Sequence, residues 1–195
     1  MNKDTFLNHL RHAPVIAAAK DEKGLEECLS SPCAAVVVLF GNILDISRIV
    51  DKIVSANRIA IVHLDLIDGL SATASAVDYI KEKTSSSGII STKSVLIKRA
   101  RQIGLIAIQR FFLLDSLALS NISKQIKQNA PDFIEIIPGA MPKIIKEVAS
   151  STDTPVMTGG LIRDAKDALN ALNAGAIAVS VTNGTLFELN TAFQN

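Results

Sequence analysis

Short runs of β-branched and aliphatic residues recur along the chain, separated by stretches whose apolar positions repeat at helical spacing. The runs lie at Val15–Ala19, Ala35–Phe40, Ile59–Leu64, Ser87–Ser91, Leu105–Gln109, Phe133–Ile137, Pro155–Met157 and Ala176–Val181. Strand-like runs alternating with amphipathic segments predict βα units and a parallel sheet rather than hairpins. Two helices read most clearly. Asp45–Ser55 repeats Ile46, Ile49, Val50 and Ile53 on one stripe, and Asp164–Asn173 does the same with Ala165, Ala168, Leu169 and Leu172. Asn173-Ala174-Gly175-Ala176 then reads as a helix stop followed at once by the last strand. Eight such units predict an α/β fold, a TIM (β/α)8 barrel. It would be compact, because such barrels usually take about 250 residues. A single domain over residues 1–195 is expected.

Composition supports that reading and removes some alternatives. With 48% hydrophobic residues and a mean hydropathy of +0.32, the chain can bury a substantial core. Its longest apolar run, Ala34 to Phe40, is far shorter than the roughly 18 residues of a membrane span, so none is expected. Met1 to Arg11 carries Asp4 and lacks the apolar segment of a secretory signal, which predicts a cytoplasmic protein. Cys28 and Cys33 are then expected to be reduced, packed thiols. His9 and His12 share a face of a helix begun at Thr5. With no carboxylate or cysteine near them they read as solvent-facing, and no metal site is expected. A net charge of +1 excludes a broadly polycationic nucleic-acid coat and leaves room for a local basic face.

Candidate chemistry gathers at the predicted strand ends. Thr158-Gly159-Gly160 and Thr182-Asn183-Gly184 are turns one repeat apart, where freed backbone amides can converge on a phosphate, as after strands seven and eight of TIM barrels. His63 and Asp65 close the third run. In an extended chain they share a face, open to polyol binding, acid–base work or a structural role. Glu135 interrupts an apolar run, where a charge is expensive unless paired or facing the open mouth. Lys20, Gln109 and Arg110 complete a polar ring at the same rim, and Ser91 is read either as a member of it or as a helix cap. Lys98, Arg99 and Arg101, followed after a strand by Arg110, form the densest basic cluster, and Lys93 falls in the first turn of the helix after the fourth run. The chain lacks the G-x-x-x-x-G-K-[ST], G-x-G-x-x-G and G-x-S-x-G motifs and any zinc spacing, which disfavours classical nucleotide and serine hydrolysis. No Trp and one Tyr leave little for a stacking platform.

The wording of several segments carries more than their periodicity. Val62-His63-Leu64-Asp65-Leu66-Ile67-Asp68-Gly69, Gly88-Ile89-Ile90-Ser91-Thr92-Lys93, Ala107 to Asp115, Pro131 to Gly139, Met157 to Arg163 and Val181-Thr182-Asn183-Gly184 resemble the glycerol uptake operon antiterminator family. The resemblance runs nearly end to end and is looser over the first 40 or so residues. It implies a cytoplasmic, non-enzymatic regulator that responds to glycerol 3-phosphate and acts on the leader mRNA of glycerol-utilisation operons, preventing premature termination. No cofactor is implied beyond that effector, and a homo-oligomer is compatible with it. On this resemblance Gly159, Gly160, Asn183 and Gly184 hold the phosphate, while His63, Asp65 and Glu135 reach the glycerol hydroxyls, with Ser91 and Gln109 around them; Lys20 joins the ligand-binding candidates from the polar ring alone. Lys93, Lys98, Arg99, Arg101 and Arg110 are the candidate RNA-facing residues, and no catalytic residue is assigned. The alternatives are a phosphosugar-processing enzyme on the same barrel, with His63 or Glu135 as base, and a protein-binding sensor using Phe111 and Phe112.

Overall fold

A computed structural model of the chain describes residues 1–193; the last two residues of the expected domain lie outside the described residues. The eight strands are β1 (Val15–Ala19), β2 (Ala35–Val38), β3 (Ile59–His63), β4 (Gly88–Ser91), β5 (Ile106–Phe112), β6 (Phe133–Ile137), β7 (Val156–Gly159) and β8 (Ala178–Val181). All pair in parallel and in sequence order, and β8 returns to β1 to close the barrel. The helices are α1 (Lys3–His12), α2 (Glu22–Leu29), α3 (Ile46–Ser55), α4 (Ala74–Lys83), α5 (Ser94–Gln102), α6 (Ser116–Asn129), α7 (Pro142–Ser151), α8 (Ala165–Asn173) and α9 (Leu189–Phe193). Asp21, Asp115 and Asp164 cap α2, α6 and α8 by accepting from the amides of Gly24, Ala118 and Asp167.

Two apolar layers follow from the period of two along each strand. Ile16, Ala18, Val37, Ile61, Ile90, Ile108, Phe133, Met157 and Ala178 point into the barrel and form one cluster. Val36, Val62, Ile89, Ala107 and Val179 point outward to meet helices, where Ile46, Ile49, Val50 and Ile53 supply the apolar stripe of α3. The helix before β1 has its own use. Phe6 and Leu10 of α1 are fully buried in the lumen cluster, and the Phe6 ring meets Phe133 edge-on with centroids 5.3 Å apart. Thus α1 plugs the N-terminal end of the barrel.

Strand ends depart from the sequence expectation at informative places. The fifth run was expected to stop at Gln109, yet β5 continues through Arg110, Phe111 and Phe112, which pair with Glu135, Ile136 and Ile137. Polar side chains do not end this strand because each finds a buried partner. The third run ends one residue early, because Leu64–Leu66 turns into a 3-10 helix. Strand β7 starts and ends later than expected, reaching Gly159, and β8 begins only at Ala178. At the far end of the chain, buried Asn190 accepts from the Val15 amide at 2.9 Å and donates to the Val15 carbonyl at 2.8 Å, tying α9 to the start of β1. Cys28 and Cys33 are both free and buried; burial pushes the Cys28 thiol up to about 12 and raises that of Cys33. His9 and His12 are exposed.

Candidate functional site at the barrel mouth

The inward alternation that packs the lumen continues toward the C-terminal strand ends and there turns polar. Two residues beyond Ile61, Ile108, Phe133, Met157 and Ala178 stand His63, Arg110, Glu135, Gly159 and Ser180. Arg110 lies directly across from Glu135 in register, and Gly159 across from Ser180. The Arg110 Nε donates to Glu135 Oε2 at 2.6 Å, while the Ser180 hydroxyl donates to Glu135 Oε1 at 2.6 Å. Both side chains of the ion pair are withdrawn from water, Arg110 to 10% exposure and Glu135 to 0%. Gly159 makes this possible: a Cβ there would overlap the Ser180 hydroxyl and come within 3.2 Å of Glu135 Oε1. His63 is 3% exposed, and its Nδ1 has no hydrogen-bond partner. Burial and then the Arg110 charge push its pKa down to about 4, against the pull of Asp65 and Glu135, so the imidazole is neutral at pH 7.

Several expected ring members have other tasks. Asp65 sits in the 3-10 turn after β3 rather than in an extended strand. Its carboxylate accepts from Ser91 Oγ at 2.5 Å and from the Thr92 amide and hydroxyl at 2.8 Å each. Burial works to raise the Asp65 carboxyl, but these donors hold it below its usual value. Ser91 therefore belongs to a clamp between β3 and β4 and faces away from the lumen. Gln109 also faces outward, because it has the opposite parity to Arg110. It is fully buried against α6, donating to Gln125 and accepting from Asn129. Glu135 is reassigned as well: fully buried, with both oxygens engaged, it underlies the mouth rather than opening onto it. Lys20 does stand at the rim, exposed, two residues past Ala18.

The expected basic patch is dispersed by the fold. Lys93 precedes α5 at the mouth face, whereas Arg101 lies in its last turn at the opposite end and pairs with Asp132. Arg99 is engaged by Asp78 of α4 at 2.7 Å, and Arg110 is inside the barrel. Lys93 and Lys98 remain exposed. Sequence proximity grouped these residues, but a nine-residue helix carries its two ends to different faces.

The two glycine turns also part company. Gly160 adopts φ +69°, a left-handed conformation suited to glycine, and with Leu161 and Ile162 it lines a cavity of about 240 Å³. Arg110, Ser180, Val181, Thr182, Ala18, Leu39 and Ile137 form the remaining walls. In the second turn, Asn183 spends its side chain on the Thr185 amide and hydroxyl and on the Arg163 carbonyl. Gly184 faces a larger groove of about 560 Å³ outside the barrel, where Glu26, Glu27 and Glu188 outnumber Lys23. That acidic groove repels anions, so the smaller cavity is the better match to the polar chemistry. Ser180 was missed in the sequence, and Thr182 was quoted in its turn without being singled out as a site residue. The available signal was parity, since both continue the inward alternation from Ala178. Among the described residues no group of three or more His, Cys, Asp or Glu side chains could hold a metal, and no helix is long and apolar enough to cross a membrane.

Fold and mouth together define the class: a compact (β/α)8 barrel with a cation-bearing cavity at the C-terminal ends of its strands. The chain belongs to the glycerol-3-phosphate responsive antiterminator family, whose pattern it matches over residues 15–187. It is 44% identical over 184 residues to the uncharacterised Escherichia coli protein YgcP, covering 94% of this chain and 96% of that one. Among solved structures it is similar to the glycerol uptake operon antiterminator regulatory protein of Listeria monocytogenes, with a TM-score of 0.86 and 31% identity over 89% of this chain and 94% of that one. A related protein of Thermotoga maritima gives a TM-score of 0.80 and 26% identity, over 89% and 97%. More distant barrels, aldolases among them, share the fold alone.

Proposed function

We propose that this protein is a cytoplasmic sensor of glycerol 3-phosphate that acts on leader RNA as a transcription antiterminator, without catalysing a reaction. The observation that carries the reading is the cavity at the ends of β7 and β8. There the left-handed turn at Gly160, the Thr182 hydroxyl and Arg110 surround a space suited to a small phosphate ester. Among the described residues, the amides of Gly160, Leu161 and Thr182 donate to no protein acceptor, so they are available to phosphate oxygens. Lys20, Ser180 and His63 lie on the lumen side, toward which the polyol would extend. The polar groups argue against chemistry, since the carboxylates of Asp65 and Glu135 are committed to the scaffold and to Arg110, and among the described residues no carboxylate is hydrogen-bonded to His63 to orient it as a base. Family membership supports the antiterminator role, and exposed Lys93 and Lys98 are the candidate RNA contacts that remain. The effector needs no cofactor.

The deciding experiment titrates purified protein with a leader transcript carrying an inverted repeat, with and without glycerol 3-phosphate, across a salt series. The expected result is RNA affinity that rises with the effector and falls with salt, the limit on coupling being the effector's differential affinity for the two states. RNA affinity indifferent to glycerol 3-phosphate rejects the sensor. Turnover of a phosphosugar by the same preparation supports the enzyme instead.

A further inference from the structure

We infer that Arg110 is the anion-binding residue of the mouth, aimed by Glu135 and Ser180 beneath it; this rests on the reading that a phosphate ester occupies the cavity. Arg110 lines the cavity, yet among the described residues its guanidinium makes a single protein bond, from Nε to Glu135 Oε2. Its two terminal nitrogens donate to no acceptor among the described residues, and neither is sealed from the cavity. An arginine tied through Nε alone presents its two terminal amino groups end-on as a fork, the geometry that takes two oxygens of one phosphate.

A purely structural role fits this arrangement poorly. A buried ion pair is weak support for a fold, because its desolvation cost offsets the attraction and apolar residues of similar volume serve as well. A structural pair would also engage more of the guanidinium. Here the carboxylate takes one nitrogen and receives Ser180 on its other oxygen, which fixes the plane of Glu135 and through it the direction of Arg110. Gly159 leaves the space in which that happens. Arg110 is the charged side chain among the residues that line the cavity, and so the cation that it offers to an anion. Its burial also removes it from the RNA surface, because a side chain only one-tenth exposed cannot reach a polynucleotide backbone outside the barrel. Glu135 and Ser180 are positioning residues for this arginine.

Calorimetric titration with glycerol 3-phosphate, inorganic phosphate and glycerol tests the assignment. The wild type is expected to bind the first most tightly and the second measurably. Arg110→Lys keeps the charge and loses the fork, and should weaken both by at least about 30-fold while its unfolding midpoint stays close to the wild type. The double variant Arg110→Met with Glu135→Leu replaces the pair by apolar groups and should fold without binding phosphate. Ser180→Ala should weaken glycerol 3-phosphate and inorganic phosphate by the same factor, about fivefold, because it acts through Arg110. A loss confined to glycerol 3-phosphate would make Ser180 a contact to the polyol and remove it from the relay. Binding by Arg110→Lys within fivefold of the wild type overturns the inference and leaves the sensor standing. Phosphate binding that depends on Arg110, without any preference for glycerol 3-phosphate, upholds the arginine and sinks the choice of effector. If the wild type binds no phosphate compound, both fall.

Discussion

The two ends of the barrel are built from the same eight strands and obey opposite rules. At the N-terminal end the lumen is closed by hydrocarbon: Phe6 and Leu10 of α1 join Phe133, Ile16 and Ile106 in one apolar cluster. At the C-terminal end, one alternation further along the same strands, the lumen holds an ion pair, a neutral imidazole and a serine. The first end is built for stability and the second is where the proposed binding falls, as the barrel architecture allows when its loops vary independently of its floor. The contrast is also one of cost, because a buried charge is tolerated only when it is paired and hydrogen-bonded, whereas a buried phenyl ring needs only contacts.

The largest expected effect breaks the apolar end. Phe6→Ala removes a fully buried ring and its edge-on contact with Phe133, and should lower unfolding free energy by about 4 kcal/mol. Urea denaturation checks this. Calorimetry on the folded fraction should find phosphate affinity unchanged, and a parallel loss of affinity would show that the two ends are not independent.

The polar end should announce itself in pH dependence. His63 has a folded pKa of about 4 against an ordinary 6.5, so between those values the unfolded chain binds a proton that the folded one refuses. The stabilisation is complete above pH 6.5 and is lost as pH falls toward 4, by at most about 3 kcal/mol. Arg110, Asp65 and Glu135 are the charges that face the ring, and only Arg110 reinforces burial in disfavouring its proton. His63→Gln should flatten the stability curve between pH 6.5 and 4. Superimposable curves for the two proteins would mean that the imidazole protonates freely in the folded state.

Asn190 extends the comparison to the rear of the barrel, where a polar residue does a structural job. Its amide serves both the N–H and the C=O of Val15 and donates to Cys33 Sγ at 3.3 Å. Asn190→Ala strands two buried main-chain groups and should cost about 2 kcal/mol in thermal or urea unfolding, with no change in affinity at the mouth. A neutral result would mean that water replaces the side chain.

What could be read in advance divides along a physical line. The runs read as Ala35–Phe40 and Ile59–Leu64, which overran their strands by two residues and one, and the α3 stripe were legible because burial on two faces or one leaves a pattern within a few residues. Glu135 was legible as an anomaly, since a charge in an apolar run demands a partner. The partner was not, because Arg110 lies 25 residues away and only the register of β5 on β6 brings the two together. Parity misled in the same way: Gln109 and Arg110 are adjacent in sequence and equally polar, yet one faces a helix and the other the lumen. The partners of Asp65 were misjudged because the chain leaves the strand conformation at Leu64: its carboxylate is engaged by Ser91 and Thr92, although its charge still acts on His63. Helix α1 gave no hint of its role, since Phe6 and Leu10 on one face fit any packed helix.

The smallest expected effect lies between the two glycine turns and sharpens the mouth itself. Gly160 takes φ +69° with Ile137 Cγ2 placed 3.1 Å from where a Cβ would be, so Gly160→Ala should cost about 1 kcal/mol from backbone strain. Gly184 has an ordinary backbone, and a Cβ there would meet its nearest neighbour, Glu27 Oε2, at 3.6 Å. Gly184→Ala should therefore leave stability within the range of surface substitutions. In binding the asymmetry grows. Alanine at 160 disturbs the turn whose amides face Arg110 across the cavity and should weaken glycerol 3-phosphate about tenfold, whereas alanine at 184 opens onto the acidic groove and should leave it unchanged. Equal losses at both positions, measured by calorimetry, would restore Gly184 to the phosphate seat. Equal retention would instead detach the seat from both turns and leave Arg110 as its main element.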